Sequence, residues 1–164
     1  MVWAAIIIGG IILVALIAVK VGNQSKAIDS GAAVKRNYEF FKQKNFFKTS
    51  VASISDIYDA VDVSVLTEQK INIQYDSENK MVIFRNKKLG GTFTAALRFM
   101  GEEDGKYVYR FQIEKWEERN GGISADDMLG GNVALTSVEK AVISLDTEAT
   151  VTRENATYNT KTHF

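Results

Sequence analysis

The segment KYVYRFQIEKW, residues 106–116, alternates large apolar side chains with polar ones, and this alternation decides the fold class. The apolar positions are Tyr107, Tyr109, Phe111 and Ile113. A period of two is typical of a β-strand that buries one face. Asp104-Gly105 precedes the segment and favours a tight hairpin turn, and GTFTAALRF, residues 91–99, lies on the other side of that turn. The sequence therefore predicts an antiparallel hairpin.

Further strands and two helices extend outward from this hairpin. The predicted strands are FFKTSV (46–51), KINIQY (70–75) and MVIFRN (81–86), the last two joined by the polar turn DSENK (76–80). ISDIYDAVDVSVL, residues 54–66, predicts an amphipathic helix that Ser53 or Ser55 can cap. A second helix is predicted from Asn132, as its N-cap, to about Leu145. The chain should form an α+β domain in which a small antiparallel sheet packs against two helices.

This order of elements resembles the helix-grip fold of the START and Bet v 1-like lipid-binding superfamily over residues 46–145. SISDIYDAVDVSVL looks like the helix that follows the first strand of that fold. The resemblance implies a ligand cavity, which we place at Tyr107, Tyr109 and Phe111 beside the apolar stripe of the second helix. The alternatives are that these aromatic residues form an ordinary filled core, and that the fold is another small α+β domain.

Residues 2–19 carry no charge, and this length matches the hydrocarbon core of a bilayer. The stretch lacks a basic n-region and an A-x-A cleavage site, so we predict an uncleaved transmembrane helix over residues 1–22. The basic residues follow it, which predicts an outside N-terminus and a cytoplasmic domain. The predicted anchor residues are Trp3, Gly9, Gly10 and Lys20, and Ala5 with Gly9 forms a small-xxx-small pair that favours self-association.

The stretch of residues 20–48 is basic, with seven Lys or Arg against two acids, whereas residues 49–164 hold 13 bases against 18 acids. We interpret residues 23–45 as a juxtamembrane linker, which either contacts an anionic lipid surface or is a solvated helical linker whose aromatic residues pack on the domain. The predicted surface contacts are Lys35, Arg36, Phe40 and Phe41. The acidic remainder argues against nucleic-acid binding. The soluble domain would then span residues 46–146 and a polar Thr-rich tail residues 147–164, where a frayed end is favoured over a final edge strand.

No catalytic, cofactor or metal site is predicted. The chain has no cysteine, and its only histidine, His163, lies at the end of the predicted tail. DSENKMVIFRNK begins like a calcium loop but has Met81 and Lys87 where that loop requires Gly and Glu. Asp126 and Asp127 are better explained by the helix dipole and solvation than by a cation. Paired glycines such as Gly130-Gly131 fit turns or close packing better than a phosphate site.

The leading hypothesis is a single-pass, non-enzymatic protein of the cell membrane. Its cytoplasmic domain would bind a protein partner or an apolar, lipid-like ligand close to the bilayer. Two other classes remain open: an exported structural subunit of a filament or surface layer, and an enzyme that acts at the membrane. A cavity at the aromatic residues would favour ligand binding, and a filled core would favour a scaffold.

Overall fold

The computed structural model describes residues 22–86, 93–119 and 122–156. These residues form an α+β domain built on a six-stranded antiparallel sheet with the strand order β2-β3-β4-β5-β1-β8. The strands of this sheet are β1 (Gln43–Thr49), β2 (Ile71–Asp76), β3 (Met81–Asn86), β4 (Phe93–Glu103), β5 (Lys106–Trp116) and β8 (Thr150–Asn155). Two short strands, β6 (Glu118–Arg119) and β7 (Gly122–Ile123), pair separately. The predicted hairpin is confirmed as β4 and β5, with Asp104-Gly105 at positive φ in its turn.

The helices lie on one face of the sheet. They are α1 (residues 22–29), α2 (Ile54–Ala60), α3 (Val63–Glu68) and α4 (Ala125–Leu145), and a 3₁₀ turn covers Tyr38–Lys42. Ser53 caps α2 as predicted, because its hydroxyl accepts from the Ser55 N–H. The predicted single helix over 54–66 is broken, however, because the Asp62 carboxylate accepts from the Ser64 N–H and starts a new helix there.

Helix α4 begins eight residues earlier than predicted, with Ser124 rather than Asn132 as its N-cap. Gly130 and Gly131 lie inside this helix, where it crosses the sheet. A Cβ at Gly131 would come within 2.8 Å of both Phe41 Cε2 and Ile113 Cδ1. The glycine pair is therefore explained by close packing of helix and sheet, which was one of the two explanations, turns or close packing, that the sequence favoured.

The core fills the space between the helices and the inner face of the sheet. Its largest fully buried side chains are Tyr109, Phe41, Phe47, Phe84, Phe93 and Phe111. Helix α4 adds a continuous buried stripe from Val133 to Val142. Edge-to-face contacts join the rings of Phe41 to those of Phe93 and Trp116, at centroid distances of 6.3 and 5.8 Å.

The predicted fold class must be corrected in one respect. It included an N-terminal transmembrane helix, and the residues that the structure describes contain no helix long and apolar enough to cross a membrane. The membrane, single-pass and signal-anchor assignments are corrected by the same finding. Apart from Gly22, the stretch on which they rested lies outside the described residues.

The C-terminal stretch also differs from the prediction, because Thr150–Asn155 forms β8 and pairs antiparallel with β1. A strand, two short helices, four antiparallel strands, the short β6–β7 pair and a long helix follow one another in the chain, and β8 comes after them. The resemblance to the helix-grip fold was based on an order with one helix after the first strand, and it stays a prediction.

Candidate functional site

The aromatic residues predicted to line a cavity belong to the packed interior. Tyr109 is 0% exposed and Phe111 1% exposed. The Tyr109 hydroxyl donates a 2.8 Å hydrogen bond to the Val51 carbonyl, and burial raises the pKa of this tyrosine to about 12. The Phe111 ring packs edge-to-face on Phe84, and the half-buried Tyr107 contacts Phe99. These contacts are those of a filled core.

The four residues predicted to touch a lipid surface divide into one exposed and three buried side chains. Lys35 is exposed to solvent. Phe40 is 5% exposed and Phe41 is fully buried, and their rings contact each other. The Arg36 side chain is 8% exposed and forms an ion pair with Glu139 of α4. The predicted anchor residues Trp3, Gly9, Gly10 and Lys20 lie outside the described residues, as does His163.

The ion pair of Arg36 belongs to a polar cluster that joins the segment before β1 to α4. Arg36 Nε donates to Asn132 Oδ1 at 3.0 Å, and Asn132 Nδ2 donates to the Val34 carbonyl at 2.7 Å. Glu139 also accepts from Arg153 of β8 at 3.2 Å. Because each of these groups has a partner inside the protein, we interpret the cluster as structural: it holds the segment before β1 against α4.

Asp127 lies in the first turn of α4 and is 0% exposed, although the sequence favoured a solvated position for it. Its Oδ1 accepts a 3.3 Å hydrogen bond from Asn86, and its Oδ2 has no partner among the described residues. Burial raises the pKa of this carboxyl above its ordinary value. Over the described ranges, no group of three or more His, Cys, Asp or Glu residues is arranged to hold a metal ion.

A groove of about 420 Å³ lies on the outer face of the sheet, opposite the helices. We call it the sheet groove, and it is lined by Phe46, Lys48, Met100, Glu103, Val108, Thr150, Thr152 and Glu154. These residues come from β4, β5, β1 and β8, which are neighbours in the sheet. The register places Phe46 beside Thr152 on one side and Arg110 on the other. The groove is thus formed by consecutive strands of one rigid sheet.

The floor of the sheet groove is apolar, and its rim is charged. Met100 is 47% exposed, Phe46 is partly exposed and Val108 is 7% exposed. Lys48 Nζ lies 2.6 Å from Asp104 Oδ2; this hydrogen bond raises the pKa of the lysine and lowers that of the aspartate. Glu103 and Glu154 form no ion pair with any residue that the structure describes. The rim is therefore net acidic.

One sequence signal points to the sheet groove in hindsight. Phe46 and Phe47 are adjacent in the same strand, so their side chains must point to opposite faces of the sheet. Phe47 is 0% exposed and fills the core, which leaves Phe46 on the outer face. Met100 and Val108 join it there only through strand pairing, which the sequence does not display.

Comparison with known proteins assigns the chain to no family. No protein-family model matches it, and no curated protein and no solved structure is significantly similar to it.

Proposed function

We propose that the domain is a non-enzymatic binding domain that takes an extended segment of a protein partner in the sheet groove. The observation that carries this proposal is the apolar floor of Phe46, Met100 and Val108 on the face of the sheet that no described helix covers. An antiparallel sheet commonly leaves one face to water, and that face is then mainly polar. Three apolar side chains at the bottom of a groove are instead typical of a recognition surface.

The filled interior supports a protein partner rather than an apolar ligand. The side chains that would have to retract to open a cavity, Tyr109 and Phe111, make hydrogen-bond and ring contacts in the core. Opening that space would cost buried apolar contacts and the hydrogen bond of Tyr109 to Val51. The groove needs no such rearrangement, because its residues already line an open surface.

The charges of the groove indicate the chemistry of the partner segment. The Lys48 ammonium bonds Asp104 and is also attracted by Glu103, so this single lysine leaves the carboxylates of the rim in excess. Lys44 is opposite Glu154 in the strand register but forms no ion pair with it. We therefore expect a segment with one apolar side chain, seated on Met100, and Lys or Arg residues beside it.

Selection of displayed random peptides on the full chain tests this proposal. We expect enriched peptides to combine one large apolar residue with flanking Lys or Arg, and their synthetic forms to bind the purified protein. Met100→Glu should weaken that binding about tenfold or more, because it places a charge on the apolar floor. The matched control is Val63→Glu on α3, since Val63 is also 47% exposed but lies outside the groove.

Two outcomes would contradict the proposal. One is a peptide set that binds the Met100→Glu and Val63→Glu variants equally well. The other is enrichment of acidic peptides, which would show that the carboxylates of the rim do not determine the partner. The exported structural subunit, the membrane enzyme and the cytoplasmic location of the domain stay predictions.

A further inference from the structure

A second cavity, of about 280 Å³, lies on the helical side of the domain, far in the fold from the sheet groove. We call it the helix cleft. It is lined by Ser30, Ala32, Ala60, Asp62, Val65, Ser137, Lys140, Ala141 and Ser144. These residues come from the turn after α1, the junction of α2 with α3, and the C-terminal half of α4. Its size suits a small metabolite rather than a peptide side chain with its backbone.

The helix cleft contains two opposite charges that do not neutralise each other directly. Lys140 forms no ion pair with any described residue. Asp62 accepts hydrogen bonds from the N–H and the hydroxyl of Ser64, at 3.0 and 2.5 Å. These bonds are the main reason that the pKa of Asp62 is lowered, and the charge of Lys140 is the smallest of the causes. Both side chains are exposed to solvent and line the same cleft.

The hydroxyl of Ser137 is a second feature of the cleft, independent of the two charges. Ser137 is 6% exposed and lines the cleft, yet its hydroxyl has no hydrogen-bond partner among the described residues. Among the described residues, the fully enclosed side-chain atoms without a partner belong to Asn45, Arg110 and Asp127, so the Ser137 hydroxyl is open to the cleft, where a ligand can bond it. By contrast, the hydroxyls of Ser30 and Ser144 donate to the carbonyls of Ala27 and Ala141. Ser137 is thus the one serine of the cleft that is left to bond a ligand.

From this geometry we infer that the helix cleft binds a small zwitterion of the amino-acid class. The carboxylate of the ligand would lie against the Lys140 ammonium and accept from the Ser137 hydroxyl. Its ammonium would lie against the Asp62 carboxylate, and its side chain would contact Val65 and Ala60. In this arrangement each charge of the cleft has an ion-pair partner, and the Ser137 hydroxyl has a hydrogen-bond acceptor.

The position of Lys140 admits one competing explanation. A Cβ at Gly31 would lie 3.4 Å from Lys140 Nζ, so the ammonium sits beside the turn that ends α1. A cation at a helix C-terminus stabilises the helix, and the only role of Lys140 would then be to stabilise α1. The two roles are separable, because the structural role needs neither Ser137 nor Asp62.

The experiment titrates the ¹⁵N-labelled full chain with each of the 20 common α-amino acids at millimolar concentration and follows amide chemical shifts. Propionate and propylamine serve as probes that carry only one of the two charges. We expect at least one amino acid to shift resonances of Ser137, Lys140 and Asp62 saturably, and to bind about tenfold or more tightly than either single-charge probe.

Variants locate the site. Lys140→Gln and Asp62→Asn should each weaken the amino acid about tenfold, and Ser137→Val should abolish binding because it removes the hydroxyl and fills the cleft. Lys115→Gln, at an exposed lysine outside the cleft, should leave binding unchanged. The proposal is overturned if no amino acid shifts these resonances. It is also overturned if Lys140→Gln lowers the thermal midpoint while Ser137→Val leaves binding intact.

Discussion

Arg36 and Glu139 form an ion pair whose side chains are only 8% and 14% exposed, although 103 residues separate them in the chain. The pair fixes the segment before the first strand onto the longest helix. Arg36 also donates to Asn132, so its removal would leave a buried amide oxygen with one partner fewer. A segment that the sequence presents as a basic linker is therefore part of the folded domain.

Arg36→Ala should lower the free energy of unfolding by about 2–3 kcal/mol, because it leaves a poorly solvated carboxylate whose remaining partner is Arg153. Urea unfolding followed by circular dichroism measures this difference. Lys35→Ala is the control, since Lys35 is the exposed neighbour, and it should change the free energy by about 0.5 kcal/mol or less. Equal effects of the two substitutions would contradict the structural role of the ion pair.

Asp127→Asn should raise the urea midpoint at pH 7. Burial raises the pKa of Asp127, so the native state holds this proton more tightly than the unfolded chain, and stability falls as the pH rises above the ordinary carboxyl pKa of 3.8. Asparagine cannot ionise, so it removes this loss of stability, and its side-chain oxygen can still accept the hydrogen bond from Asn86. The gain should therefore shrink toward pH 4, because the native state keeps this proton to a higher pH than the unfolded chain does. A gain that is the same at both pH values would exclude titration as its cause.

Gly131→Ala should destabilise the protein by about 1–3 kcal/mol, even though alanine is the better helix former. The added methyl group would meet the rings and side chains of Phe41 and Ile113 at 2.8 Å, and both residues are buried. Gly22→Ala is the matched control, because no atom of the described residues lies within 4 Å of a Cβ there. Thermal unfolding of both variants checks the difference. A stabilised Gly131→Ala protein would show that helix and sheet can move apart at little cost.

Tyr109→Phe should cost about 1 kcal/mol at neutral pH, because the Val51 carbonyl loses its donor. The pKa of Tyr109 is raised to about 12 from 10.0, so the native state keeps this proton longer than the unfolded chain does. The stability of the unmodified protein should thus fall between about pH 10 and pH 12, and the variant should lack that part of the fall.

Thermal midpoints of both proteins across this pH range measure the effect. The control is Tyr58→Phe, which makes the same chemical change where the hydroxyl has no hydrogen bond among the described residues. Parallel pH profiles for Tyr109→Phe and the unmodified protein would contradict the assignment.

The local pattern of the sequence predicted those elements whose two faces differ in polarity. The alternation in β5 and the Asp104-Gly105 turn located the central hairpin correctly. Strand β8 was missed because five of its six residues are exposed, so nothing in its pattern distinguishes it from a tail. It exists through backbone pairing with β1, which is a tertiary property.

The start of α4 was missed because Gly130 and Gly131 resemble a turn when only their own sequence is considered. Close packing requires these glycines: Gly130 lies against Phe93, and Gly131 lies against residues that include Phe41, all from distant parts of the chain. The candidate sites were hidden for the same reason. Met100 and Phe46 line the same groove because their strands belong to one sheet. Ser137 and Asp62 line the same cleft because their helices pack together.

The position of β1 between β5 and β8 affects how the chain folds during its synthesis. This strand is synthesised early, but both of its neighbours come later, and the last one lies close to the C-terminus. Until those partners have left the ribosome, the backbone of β1 is an unprotected template for pairing with other chains. Any shortening that removes β8 would leave one edge of β1 permanently without a partner, so β8 protects that edge against pairing with other chains.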